Sequence, residues 1–126
     1  MSEPVWLRSD VVLAIHNRQL TEHGGPPGIR DEGLLESALA APVDRWRYEQ
    51  SGIPSLGACY AFHLAGNHPF IDGNKRTGAV AALVFLDLNG VEINAPEGSI
   101  YDLTMSVAAG KADKSDIAQF LCSHVG

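Results

Sequence analysis

The chain has 126 residues, with 15 acidic against 9 basic side chains and a formal charge of −6. At about 150 residues per domain this is one domain, expected over residues 1–126 and long enough to bury a core without staples. Hydrophobic residues at 45% exclude a disordered chain, and the acidic balance without any basic block excludes a general nucleic-acid binder.

Ser9 to His23 reads as a first helix, capped by Ser9, with Asp10 suited to its first turn and Val12, Ile15 and Leu20 in its apolar stripe. Gly24-Gly25 stop it, and the run to Arg30 forms a loop. Asp31 caps a second helix carrying Leu34, Leu35, Ala38 and Leu39, which Pro42 ends or restarts, leaving Val43 to Gln50 as a short helix. Trp46 and Tyr48 read there as packing aromatics.

Pro54 to about Gly66 is a further helix, rich in Ala and aromatics, and Asn67 to Gly73 breaks the pattern. A long apolar helix runs from about Asn74 to Leu88, ended by Asn89-Gly90. Val91-Glu92-Ile93 fits a short extended piece, followed by helices over Pro96 to Ala109 and Ser115 to His124. The predicted class is all-α, with the helix of residues 74–88 at its centre.

Cys59 and Cys122 make neither a disulfide framework nor a zinc cluster, and read as two reduced, buried thiols. The start, Met1 to Arg8, lacks the pattern of a signal peptide, and the longest apolar run, Ala79 to Leu86, is too short for a membrane span. The expected setting is cytoplasmic, with no membrane partner.

One stretch fits neither core nor ordinary loop: His68-Pro69-Phe70-Ile71-Asp72-Gly73-Asn74-Lys75-Arg76. A plain polar loop leading into a helix is one account of it. Against that, Lys75 and Arg76 stand where the helix macrodipole disfavours cations, a conflict that a bound anion would repair. Gly73 would let the backbone approach a phosphate, and Asn74 would offer its amide to the same oxygens. Lys75 and Arg76 would neutralise charge during transfer, and Asp72 is a hard oxygen ligand suited to Mg²⁺. His68 is the side chain there able to take a proton near neutral pH, and Phe70 is expected to anchor the loop. His16, His23 and His124 read as surface or cap residues, Asp87, Glu92 and Asp102 as solvated, and His63, one turn before the loop, as a possible neighbour of the site.

His68 to Arg76 resembles the signature of the Fic/Doc family, a His-Pro-Phe-x-x-Gly-Asn-x-Arg loop running into a central helix. Asp31 to Ala40 is similar to the early segment of the death-on-curing branch, so the resemblance covers nearly the whole chain. It implies a compact all-α fold and transfer of a phosphate-containing group from a nucleotide to a protein hydroxyl. Under it His68 activates the hydroxyl, Asp72 binds Mg²⁺, and Gly73, Asn74, Lys75 and Arg76 hold the phosphates of ATP.

The AMP-transferring pattern reads Gly-Asn-Gly-Arg-x-x-Arg, whereas here Lys75 replaces the second glycine and Ala79 the last arginine. Both changes match the Doc toxins, in which the γ-phosphate of ATP goes to a threonine of translation elongation factor Tu and protein synthesis halts. The resemblance therefore implies the toxin of a type II toxin–antitoxin pair, acting as a protein kinase. An adenylyltransferase, or a non-catalytic module acting only through its antitoxin, are the alternatives. Many Fic proteins carry an inhibitory Ser/Thr-x-x-x-Glu-Gly/Asn helix. The residues four before Glu32-Gly33 and Glu97-Gly98 are Gly28 and Ile93, so restraint is expected from another chain, a Phd-like antitoxin.

Overall fold

The computed structural model describes residues 2–126, and Met1 of the N-terminal reading lies outside them. Six helices follow in order: α1 (Ser9–His23), α2 (Glu32–Glu49), α3 (Ile53–Asn67), α4 (Asn74–Leu88), α5 (Ser99–Ala108) and α6 (Lys114–Ser123). The fold is all-α, as its periodicities predict.

At the centre α3 lies against α4, and glycine sets how near they come. A Cβ on Gly78 of α4 would stand 2.9 Å from the Ala61 carbonyl oxygen and 3.3 Å from the Ala65 nitrogen. On α3, a Cβ at Gly57 would strike Leu86. Around this pair, α2 and α6 flank α3 while α1 and α5 flank α4. One buried cluster joins Tyr60, Leu64, Phe70, Phe85, Leu86 and Ile117. The α3–α4 pair is its spine, since most of both helices is buried.

Several local expectations are corrected. Arg8, not Ser9, is the N-cap of α1, and it offers no side-chain cap. Asp10 serves that turn by accepting the Val11 amide at 2.9 Å. Pro42 neither ends nor restarts a helix but lies inside α2, fully buried. One lost hydrogen bond is offset there by packing of the proline against the core. Helix α5 starts at Ser99 rather than Pro96, because Gly98 at φ 81 provides the turn into it.

Tyr48 is 87% exposed, while Trp46 does pack, edge-on to Trp6 at 6.1 Å. Cys59 is buried, but Cys122 is exposed at the end of α6. The extended piece at Val91–Ile93 pairs with the C-terminus through the isolated bridge of Ile93 with Val125. Among the described residues, no helix is long and apolar enough to cross a membrane.

Candidate active site

The site is built where α3 ends and α4 begins. His68 is the C-cap of α3 with φ 52, one of two non-glycine residues at positive φ among those described. Such a conformation persists only where neighbours hold it, and it concentrates at functional sites. Here Arg30 does the holding, with Nε on the His68 carbonyl at 2.7 Å and Nη2 on the Asn67 carbonyl at 3.0 Å. The imidazole itself is left exposed.

The loop then turns inward. Phe70 is 1% exposed, the anchor expected of it. Asn74 is buried, and both ends of its amide go to Phe70: Oδ1 accepts the Phe70 N–H at 2.9 Å and Nδ2 donates to the Phe70 carbonyl at 3.0 Å. In place of an open amide facing a ligand, Asn74 is therefore a clasp that closes the loop. Gly73 has φ 80, while a Cβ on it would make only ordinary contacts from 3.5 Å outward. Backbone conformation is what calls for glycine there.

Asp72 stays exposed, with Oδ1 accepting the Gly73 N–H at 2.8 Å. Its Oδ2 lies along the loop between α1 and α2: a Cβ on Gly25 would stand 2.5 Å from it. That loop runs beside the site as a short ribbon. Pro69 accepts from the Arg30 and Asp31 amides, Gly28 accepts from Ile71, and Ile29 bridges Phe70.

Gly73, the N-cap of α4, leaves the helix start without a side-chain cap. Its first turn thus presents free amides and the positive end of the dipole, beside two cations. Lys75 is half-buried and Arg76 lies over the Tyr101 ring, 4.5 Å from the centroid. Neither enters an ion pair among the described residues. Arg76 also lines a cavity of about 360 Å³ with Gln19, His23, Ala79, Glu97 and Tyr101.

A sequence profile of the Fic/DOC family matches residues 6–86. The chain belongs to the Fic/DOC family. It is similar to Protein kinase doc of Escherichia phage P1, 35% identical over 112 residues covering 87% of each chain. It is also similar to Toxin Doc of Mycolicibacterium smegmatis, 39% identical over 100 residues covering 75% of this chain and 76% of that one. The family profile spans α1 to most of α4, so Tyr101 and Thr104 of α5 lie outside it.

Within this Fic/DOC site, the structure joins His68, Asp72, Gly73, Asn74, Lys75 and Arg76 in one loop and helix start. It adds two residues that the sequence did not single out. Arg30 carried no periodic signal, because it lies in a loop. His16 did carry one: Val12, Ile15, His16 and Gln19 share the buried face of α1 at helical spacing. Its expectation as a surface residue is corrected, since it is 3% exposed.

His63 is not part of the site. It sits toward Arg45 and Lys114, and burial, with those two positive charges, pushes its pKa down to about 4.

Proposed function

We propose that this protein is a Doc-type toxin kinase, transferring the γ-phosphate of ATP to a threonine of translation elongation factor Tu and restrained by a Phd-like antitoxin. The observation that carries this reading is the exposed His68 and Asp72 placed immediately before an uncapped helix start with two unpaired cations. The name of the phage relative, Protein kinase doc, together with Lys75 and Ala79 at the positions that depart from the AMP-transferring pattern, supports γ over α transfer, and the name Toxin Doc supports a toxin.

His68 takes the proton of the acceptor hydroxyl as its oxygen attacks the γ-phosphorus. The bond from that phosphorus to the β–γ bridging oxygen breaks, and ADP leaves with the oxygen. Lys75, Arg76 and the amides of the first turn of α4 hold the charge that shifts during transfer.

Asp72 would be the protein's ligand to Mg²⁺. Asp72 is exposed, with one carboxylate oxygen on the Gly73 N–H and the other beside Gly25, where any larger residue would crowd it. That donor set fits an ion taking one carboxylate from protein and its other oxygens from phosphates and water. When bound, Mg²⁺ supplies shielding of the phosphate charge.

The antitoxin reading is supported by an apolar groove between α1 and α2, lined by Leu13, Ile29, Leu35 and Leu39 and edged by Glu32 and Glu36. It suits an amphipathic segment that folds on binding. Expression of the chain alone is expected to arrest growth, with rescue by the neighbouring small gene.

The deciding experiment supplies Mg²⁺, elongation factor Tu and ATP labelled at either the α or the γ position. Label is expected on the factor from the γ position only, and to vanish with His68→Ala. Label from the α position would make the protein an adenylyltransferase instead, and no label on any protein would leave a binding module.

A further inference from the structure

We infer that His16 is a positioning residue that aims the Asp72 carboxylate from the buried face of α1. The inference rests on the reading above, in which Asp72 and the start of α4 form the phosphate site.

His16 Nε2 lies 2.8 Å from the backbone carbonyl oxygen of Asp72. A carbonyl oxygen only accepts, so Nε2 carries the proton and the tautomer is fixed. The ring stacks on Phe70, with centroids 3.7 Å apart and planes 8° from parallel. A Cβ on Gly73 would stand 3.6 Å from the same ring. One buried side chain thus braces Phe70, Asp72 and Gly73, and it belongs to a different helix from the loop it serves.

The hydrogen bond matters because of what lies on the other side of the same peptide. The Asp72 carbonyl and the Gly73 N–H belong to one planar unit. That N–H donates to Asp72 Oδ1 at 2.8 Å. Fixing the carbonyl from the buried side therefore fixes the direction of the N–H on the exposed side, and the carboxylate follows it. Gly73 at φ 80 would otherwise leave this peptide free to rotate, since glycine resists little. A buried donor thereby orients an exposed carboxylate that has no side-chain partner among those described.

A packing role and a positioning role make different demands on the side chain. His16→Phe keeps the ring and its stack on Phe70 but removes the donor. His16→Gln keeps an N–H donor of similar reach but removes the stack. If His16 positions Asp72, the phenylalanine variant folds with a thermal midpoint near the wild type. Its kcat for γ-phosphate transfer then falls by about 10- to 100-fold, the loss that follows removal of an outer partner of a metal ligand. Its KM for the acceptor protein stays unchanged, and His16→Gln recovers most of kcat.

Hydrogen exchange of the Gly73 amide provides a readout independent of turnover. It is expected to quicken by about tenfold or more in His16→Phe and to stay near wild type in His16→Gln. Equal Gly73 exchange in the two variants overturns the proposal. So does a loss of kcat that merely tracks a fall in thermal midpoint in both. Should wild-type protein transfer no phosphate at all, the kinase reading fails, and the exchange comparison alone decides the role of His16.

Discussion

Arg30 grips His68 by its backbone: Nε reaches the His68 carbonyl at 2.7 Å while Nη2 reaches that of Asn67 at 3.0 Å. These belong to the carbonyls that the end of α3 leaves without helical partners, and a guanidinium fork meets two at once. The grip also holds His68 at φ 52, where a non-glycine residue is destabilised by roughly 1–2 kcal/mol.

Arg30→Ala is therefore expected to lower stability by about 1–2 kcal/mol. Transfer should fall by more than that loss of folded protein explains, because the imidazole is no longer aimed. Arg30→Lys keeps the charge without the fork and should recover only part of the rate. Urea unfolding beside single-turnover transfer rates measures both. An Arg30→Ala variant with wild-type turnover would separate the grip from the chemistry.

Two glycines of the α3–α4 contact should respond differently to a methyl group. At Gly78 the new Cβ meets backbone, the Ala61 oxygen and the Ala65 nitrogen, which cannot rotate away. At Gly57 it meets the end of the Leu86 side chain, which can. Gly→Ala within a helix gains about 1 kcal/mol from lower backbone entropy, and overpacking costs about 1–3 kcal/mol. Gly78→Ala is expected to be net destabilising by about 1–2 kcal/mol, and Gly57→Ala to lie closer to neutral. Thermal unfolding of the two variants decides the order.

The helices were legible because their signals are local: Gly24, Asn89 and Gly90 at helix ends, Asp31 as a cap, and an apolar run through α4. Asp31 does cap α2, accepting the Leu34 amide at 3.0 Å. The loop was legible because cations at a helix start conflict with the dipole. What stayed hidden depends on contacts between distant segments. Arg30 on His68, His16 on Asp72 and Arg76 on Tyr101 join residues 38, 56 and 25 positions apart, and no period records such pairs. Asn74 was assigned to a ligand because an amide serves a phosphate or a backbone equally well, and only burial chooses between them. Pro42 misled for a related reason, since propensity alone does not weigh the burial that carries α2 through it.

His63 should make stability depend on pH. Its Nε2 is buried without a hydrogen-bond partner among the described residues, and its pKa is pushed from 6.5 to about 4. The unfolded chain therefore takes up the proton first as pH falls. Stability from the neutral ring is fully present above pH 6.5 and is lost progressively toward pH 4. His63→Leu should flatten that slope while leaving stability near pH 7.5 close to wild type. Urea midpoints at pH 7.5, 6 and 4.5 measure it, and an unchanged slope in the variant would assign the titration to another group.

The first turn of α4 is held from α5. Tyr101 lies under the Arg76 guanidinium at 4.5 Å, and the Thr104 hydroxyl lies 3.0 Å from the Lys75 carbonyl. If Arg76 holds phosphate, the ring matters through its π face rather than its hydroxyl. Tyr101→Phe should leave the KM for ATP near wild type. Tyr101→Leu keeps apolar bulk without the π face and should raise it about fivefold, the equivalent of about 1 kcal/mol of cation–π attraction. Thr104→Val, isosteric and buried, tests the second tie and should destabilise by about 1 kcal/mol. Circular dichroism establishes that each variant stays helical. A Tyr101→Leu variant with unchanged KM would place Arg76 outside the phosphate site, leaving Lys75 and the helix amides to hold the charge.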